Sequence, residues 1–382
     1  MGGGSIAGQQ GTLAVTSVTD SFDNYVEGSV WFYQPDKIAP PIFAALFLAS
    51  ALFHAYQTWL YKSWKMTLLL PWGAALMVAG FAVREAGAYH IGNIKLLIAS
   101  TVLLLSGPPV FAGANYFTLG RTLYYIPWLS PVHPGRVVTT FMGIDVIIEN
   151  LISVGAAKFA DSTNSPSERR TGVVLVKVGL IMQAVSFTGY VLLLAIWHIR
   201  VKRAGLLSKK LRSVVWMLYA SSALITTRCI YRVVEFFEGY TGEVYTHEVY
   251  FWVFDASVML VDSVLLNVFH PGKYFPQKSK IYLAKDGETE LKGPGWRDPR
   301  KWYWQVIDPF DVAGLFMKGR NDFWNYPPVQ DAEAAAGTGG EKTEAGVTAS
   351  AIASAKDREP SWLGPLGKMI WRKVKGPRAA AA

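Results

Sequence analysis

The sequence predicts an all-α membrane protein, a seven-transmembrane-helix bundle with its N-terminus outside and its C-terminus cytoplasmic. Three observations carry this. The 382 residues are 51% apolar and 14% aromatic, with only 17% charged, below the roughly 25% usual in soluble domains. Seven apolar stretches each approach the ~20 residues that cross the hydrocarbon of a bilayer. Lys and Arg gather in alternate connections between them, which sets the orientation.

Residues 1–36 form an extracellular segment of Gly, Thr, Ser and acidic residues that ends in Val30-Trp31-Phe32-Tyr33, aromatics suited to a membrane interface. No basic residue precedes Lys37 and no short apolar run carries a cleavage site, so no removable signal peptide is expected. The transmembrane domain, residues 37–270, holds spans at about 37–60, 67–90, 94–119, 136–159, 173–198, 212–236 and 247–269. Pro40-Pro41 fall in the first turn of the first span, where proline is tolerated. Gly107-Pro108-Pro109 interrupt the third; two missing backbone donors predict a kink, as compatible with a passive scaffold as with a moving helix.

Residues 1–36 and the connection near 237–247 contain no Lys or Arg, whereas 199–212 carries Arg200, Lys202, Arg203, Lys209, Lys210 and Arg212. Lys62, Lys65 and Lys273 fall on that same basic side; Arg169-Arg170 are the exception. Residues 271–330 read as an aromatic and basic juxtamembrane segment and 331–382 as a disordered cytoplasmic tail. The tail ends in a basic, aromatic piece, Trp362 to Arg378, readable as a surface anchor on anionic lipid or as a solvated tail.

The functional signal is charge inside apolar spans, which costs roughly 2.5–3.5 kcal/mol per Arg, Lys or Asp at mid-bilayer and marks a site by default. Arg228, Arg232 and Glu235 share one face of the sixth span; Glu248, Asp255 and Asp262, seven apart, share one face of the seventh. At ~1.5 Å rise per residue, Arg228 lies about 10 Å below Glu235, and Asp255 about 10 Å below Glu248. The antiparallel hairpin therefore sets Arg228 and Asp255 at one depth as an ion pair, with Asp262 deeper and lacking a basic partner in the hairpin. Arg84 and Glu85 lie near the outer end of the second span, Asp145 and Glu149 sit four apart in the fourth, and Gln183 is in the fifth. Asp145, Glu149, Gln183, Asp255 and Asp262 are the candidate substrate or proton pathway. Glu85, Arg228, Arg232, Glu235 and Glu248 are candidate supporting ion pairs. A purely structural role, fixing helix register, stays open for these charges.

Other classes fit poorly. The seventh span has no lysine for a retinal Schiff base, no two of the six histidines stand four apart, and no phosphate-cradling loop is present. The one cysteine, Cys229, lies within a span. Neither an enzyme, a cofactor, a bound metal nor a nucleic-acid partner is expected. The net charge of +9 follows topology.

Specific motifs add a resemblance. Glu85-x-Gly87 with Tyr89, Pro109 with Ala114-x-Tyr116 and Gly120-Arg121, and Phe141-x3-Asp145 with Gly155 come first. Gly179-Leu180-x2-Gln183 follows, and Arg228, Tyr231-Arg232, Glu235, Gly239, Glu248, Asp255 and His270-Pro271-Gly272 close the set. Over about residues 33–275 the chain resembles the fungal RTA-like lipid-translocating exporter family. Ile152 stands where that family is expected to have Gln. The resemblance implies a plasma-membrane protein that moves lipids such as sphingoid long-chain bases and confers resistance to toxic amphiphiles. A seven-helix receptor signalling lipid or drug stress is the alternative.

Overall fold

The computed structural model describes residue 31 and residues 33–132, 134–160, 164–239, 242–275, 280–285, 287 and 289–293. The chain divides into two compact units, residues 1–290 with 294–321 and residues 291–293 with 322–382; the bundle belongs to the first. Most of residues 1–36, the aromatic run 295–327, the tail 331–358 and the basic end 362–378 lie outside the described residues.

Seven helices are long and apolar enough to cross a membrane: α1 (Ala39–Leu60), α2 (Trp64–Tyr89), α3 (Ile94–Tyr125), α4 (Pro134–Phe159), α5 (Pro166–Arg203), α6 (Lys209–Glu238) and α7 (Glu248–Lys273). Short connections make successive helices antiparallel neighbours. Each packs on the next, α7 returns to α1, and α3 also touches α5 and α6. α6 and α3 are the most enclosed, with 50% and 44% of their apolar stretches buried against 28% for α1. The polarity is inverted relative to a soluble protein. Leu52, Phe53, Val146, Ile147, Val185, Ile230 and Val261 are exposed, while Arg84, Asp145, Arg228, Arg232, Glu235, Asp255 and Asp262 are buried. Apolar surface around a polar interior is what lipid solvation selects. The protein is an integral membrane protein.

Helix ends follow side-chain chemistry. Asn93 accepts from the Lys95 amide at 3.1 Å to start α3, and Ser208 accepts from the Leu211 amide at 3.2 Å to start α6. Ser165 and Glu168 form a reciprocal capping box that starts α5. Gly239, at φ +80°, ends α6 in a conformation that side chains rarely adopt.

Two helices outrun the lengths expected from hydropathy. α3 continues to Tyr125 rather than about 119, and α5 runs from Pro166 to Arg203 rather than about 173–198. Hydropathy registers only the part that hydrocarbon must solvate. The capping box begins α5 earlier, and Arg200, Lys202 and Arg203 occupy its last turn, where cations suit the helix dipole.

Two close contacts position the site. A Cβ on Gly155 would stand 2.7 Å from the Gly172 carbonyl oxygen, and one on Gly172 2.6 Å from that of Gly155, so α4 and α5 touch backbone to backbone. At the far end of α7, His270 stacks on Tyr61 at 5.5 Å and a Cβ on Gly272 would stand 2.7 Å from Ser63 Oγ. His270-Pro271-Gly272 thus seats α7 on the α1–α2 connection. Arg121, near the end of α3, donates to the Ile281 carbonyl at 2.8 Å and holds the short strand β1 (Ile281–Leu283).

Candidate functional site

Four of the buried charges form one network between α6 and α7. Arg228 Nε donates to Asp255 Oδ1 at 2.6 Å, and Arg232 Nη2 to Asp255 Oδ2 at 2.5 Å. Arg232 Nη1 donates to Glu235 Oε2 at 2.7 Å, and the Tyr231 hydroxyl to Glu235 Oε1 at 3.1 Å. Arg228 and Arg232 stand one turn apart, so a single carboxylate between them reaches both. α7 helps by local geometry: Trp252–Ser257, which contains Asp255, is a π-helical segment, a form that re-aims side chains and recurs at functional sites. Two arginines and two acids leave the network neutral, as a dry interior requires.

Arg228 also reaches α3. Its Nη2 donates to the Leu104 carbonyl at 3.3 Å, and Leu104 lies four residues before Pro108. Proline has no amide hydrogen, so this carbonyl has no helical donor. α3 runs helical through Pro108 and Pro109, with the guanidinium serving the freed carbonyl, one of the ways a membrane helix tolerates proline.

A second ion pair lies at the start of α7. Arg84 Nη2 donates to Glu248 Oε1 at 2.7 Å and to the Tyr33 hydroxyl at 2.9 Å. Its guanidinium lies 4.9 Å from the Trp31 ring and 4.3 Å from the Phe251 ring. Glu248 Oε2 accepts from the Asp36 amide at 2.8 Å. Trp31, Tyr33 and Asp36, just before α1, therefore pack on this end of the bundle. Burial pushes the Tyr33 phenol above its ordinary range, with Arg84 beside it pulling the other way. Glu85, expected among the ion pairs, is half-buried, and its Oε2 has no hydrogen-bond partner.

The remaining acids have no such cations. Asp145 hydrogen-bonds Tyr116 of α3, within a ring cluster in which Tyr116 lies 5.2 Å from Phe141 and 5.1 Å from Tyr190. Glu149, one turn on, accepts from Ser106 Oγ at 2.8 Å. Asp262 is fully buried, beside the Ser221 hydroxyl, and neither carboxyl oxygen is satisfied by a hydrogen bond of ordinary geometry. Gln183 is half-buried on α5 and is not joined to this set.

One polar cluster escaped the sequence analysis. Ser50 and Ser263 hydroxyls lie 2.6 Å apart, Asn267 Nδ2 donates to Ser50 at 2.6 Å, and Gln57 Nε2 donates to the Asn267 carbonyl at 2.8 Å. His54 joins at 3.4 Å from Ser263, its ring 6.2 Å from that of His270. The spacing Ser50–His54 and Ser263–Asn267, one turn each, was the available signal.

The profile described as RTA1 like protein matches residues 70–278, more than half of the chain. The chain belongs to the RTA1-like family. A "Lipid-translocating exporter-like protein RTA1" of Leptosphaeria maculans is 37% identical over 292 residues, covering 71% of this chain and 56% of that protein. Another protein of that name, from Ajellomyces capsulatus, is 34% identical, covering 70% of this chain and 88% of the relative. A "Sphingoid long-chain base transporter RSB1" of Saccharomyces cerevisiae is 23% identical, covering 62% and 72%. The chain thus spans just over half the length of the first of these relatives. No solved structure matches it. The RTA1-like region begins in α2 and ends just beyond α7, so it holds the α6–α7 network, the Arg84–Glu248 pair and Asp145, Glu149 and Asp262, while Tyr33, Asp36, Ser50 and His54 fall outside it.

Proposed function

We propose that this RTA1-like protein translocates an amphiphilic lipid with a basic head group, of the sphingoid long-chain base type, across the plasma membrane, and so confers resistance to toxic amphiphiles. The orientation proposed is N-terminus outside, from the basic connections. The carrying observation is the imbalance left once ion pairs are matched. Arg84, Arg228 and Arg232 are taken by Glu248, Asp255 and Glu235, while Asp145 and Glu149 are held only by the neutral donors Tyr116 and Ser106. The two acids share one face of α4, beside the exposed Val146 and Ile147. An ammonium leaving water needs a counter-charge, and this face offers two while the alkyl chain stays in lipid. The neutral α6–α7 network is the rigid wall against which this side works. The printed names of the relatives, exporter-like and long-chain base transporter, support the same reading and point to a transporter rather than an enzyme.

The test is reconstitution. A labelled long-chain base should cross liposomes containing the purified protein faster than protein-free liposomes. An unchanged rate, with resistance retained in cells, would replace this reading by the signalling receptor.

A further inference from the structure

The core holds a second polar site where α3, α5, α6 and α7 converge. Asp262 is 0% exposed; the Ser221 hydroxyl is the donor beside it, and neither carboxyl oxygen is satisfied by a hydrogen bond of ordinary geometry. Among the described residues no Arg or Lys pairs with it; Asp255, seven residues earlier, holds both nearby guanidiniums. Ser221, whose hydroxyl is bonded to Asn115 Nδ2 at 2.7 Å, faces Asp262. The other amide atom of that side chain, Asn115 Oδ1, has no donor, and Ser222 Oγ beside it in sequence is buried without a hydrogen-bond partner. Tyr190 of α5 lies against Ser222 and within electrostatic reach of Asp262.

We propose that Asp262, with Asn115, Ser221 and Ser222, forms a binding site for a small monovalent cation, Na⁺, in the core of the bundle. The composition is that of a ligand set: a carboxylate, an amide oxygen and two hydroxyls, all hard oxygens. A single proton would satisfy one of these oxygens, whereas a cation engages several at once. One carboxylate balances one positive charge, where a divalent ion is usually held by several carboxylates. Oxygen donors without His or Cys favour an alkali ion over a transition metal. Bound there, Na⁺ links α3, α6 and α7 directly. The proposal is independent of which lipid the protein carries.

The experiment uses full-length protein purified in detergent, with NaCl replacing choline chloride at constant ionic strength. The unfolding temperature should rise saturably with Na⁺, because a ligand that binds only the folded state stabilises it by mass action. Equilibrium binding of radioactive sodium should approach one ion per chain. Asp262→Asn should abolish both responses, and Ser222→Ala should raise the half-saturating concentration by about tenfold or more. If Asp262→Asn does not fold, Ser222→Ala and the sodium binding of the unaltered protein decide. The proposal is overturned by equal unfolding temperatures in Na⁺ and choline with no sodium retained, by undiminished binding in Asp262→Asn, or by stability that follows pH while ignoring Na⁺.

Discussion

Replacing Asp255 with Asn removes one charge and leaves two guanidiniums facing each other. In the native network both carboxylate oxygens are engaged, by Arg228 at 2.6 Å and by Arg232 at 2.5 Å. With Glu235, the four side chains are neutral; Asp255→Asn leaves a net buried charge of one. Removing one partner of a buried pair costs about 3–5 kcal/mol, most of it from the uncompensated charge. Arg228→Met alone leaves the opposite imbalance and a similar loss. Combining them restores neutrality, since Arg232 keeps Glu235 at 2.7 Å. The double variant should therefore be more stable than Asp255→Asn alone, with a coupling of about 0.5–3 kcal/mol. Unfolding midpoints of the four proteins in mixed micelles supply the cycle. An Asp255→Asn protein within about 0.5 kcal/mol of the parent, or additive losses in the double, would refute the reasoning.

Other expectations follow from the same geometry. Pro108→Ala returns a helical donor to the Leu104 carbonyl, so it should fold normally and recover part of the stability lost in Arg228→Met, measured by the same unfolding. Gly155→Val would drive a side chain into the Gly172 carbonyl, 2.7 Å away at Cβ, and should destabilise by about 1–3 kcal/mol or more as an overpacked contact. Ser165→Ala removes the cap of α5 and should cost about 1 kcal/mol, with faster hydrogen exchange confined to its first turn. Glu248→Gln weakens the hold on Arg84 and the Asp36 amide, so proteolysis before α1 should accelerate while the Arg228–Asp255 network stays intact.

Much of the fold was legible because bilayer solvation is a one-dimensional constraint: apolar runs located seven helices, and alternate basic connections suggested their direction. Depth along a helix is also one-dimensional, so the Arg228–Asp255 pair followed from counting residues. What depends on helix rotation was not legible. The second bond, from Arg232, is made by an Asp255 that lies in the π-helical segment of α7, which residue counting does not foresee. Arg84 was visible beside Glu85, yet packing gives it to Glu248, on a helix 164 positions away in sequence. The link from Arg228 to the carbonyl freed by Pro108 joins α6 to α3, which hydropathy cannot align. The Ser50, His54, Ser263 and Asn267 cluster was overlooked because uncharged polar residues barely lower the hydropathy of a span.

The account centres on carboxylates of α4 meeting a lipid amine. The direct measurement compares, in the same proteoliposomes, the crossing rates of a long-chain base and of its N-acetylated, uncharged counterpart. The account predicts that the protein accelerates the amine far more than the amide, and that Asp145→Asn with Glu149→Gln erases the difference while the protein remains folded. Equal acceleration of both lipids, or undiminished preference for the amine in that variant, would contradict it.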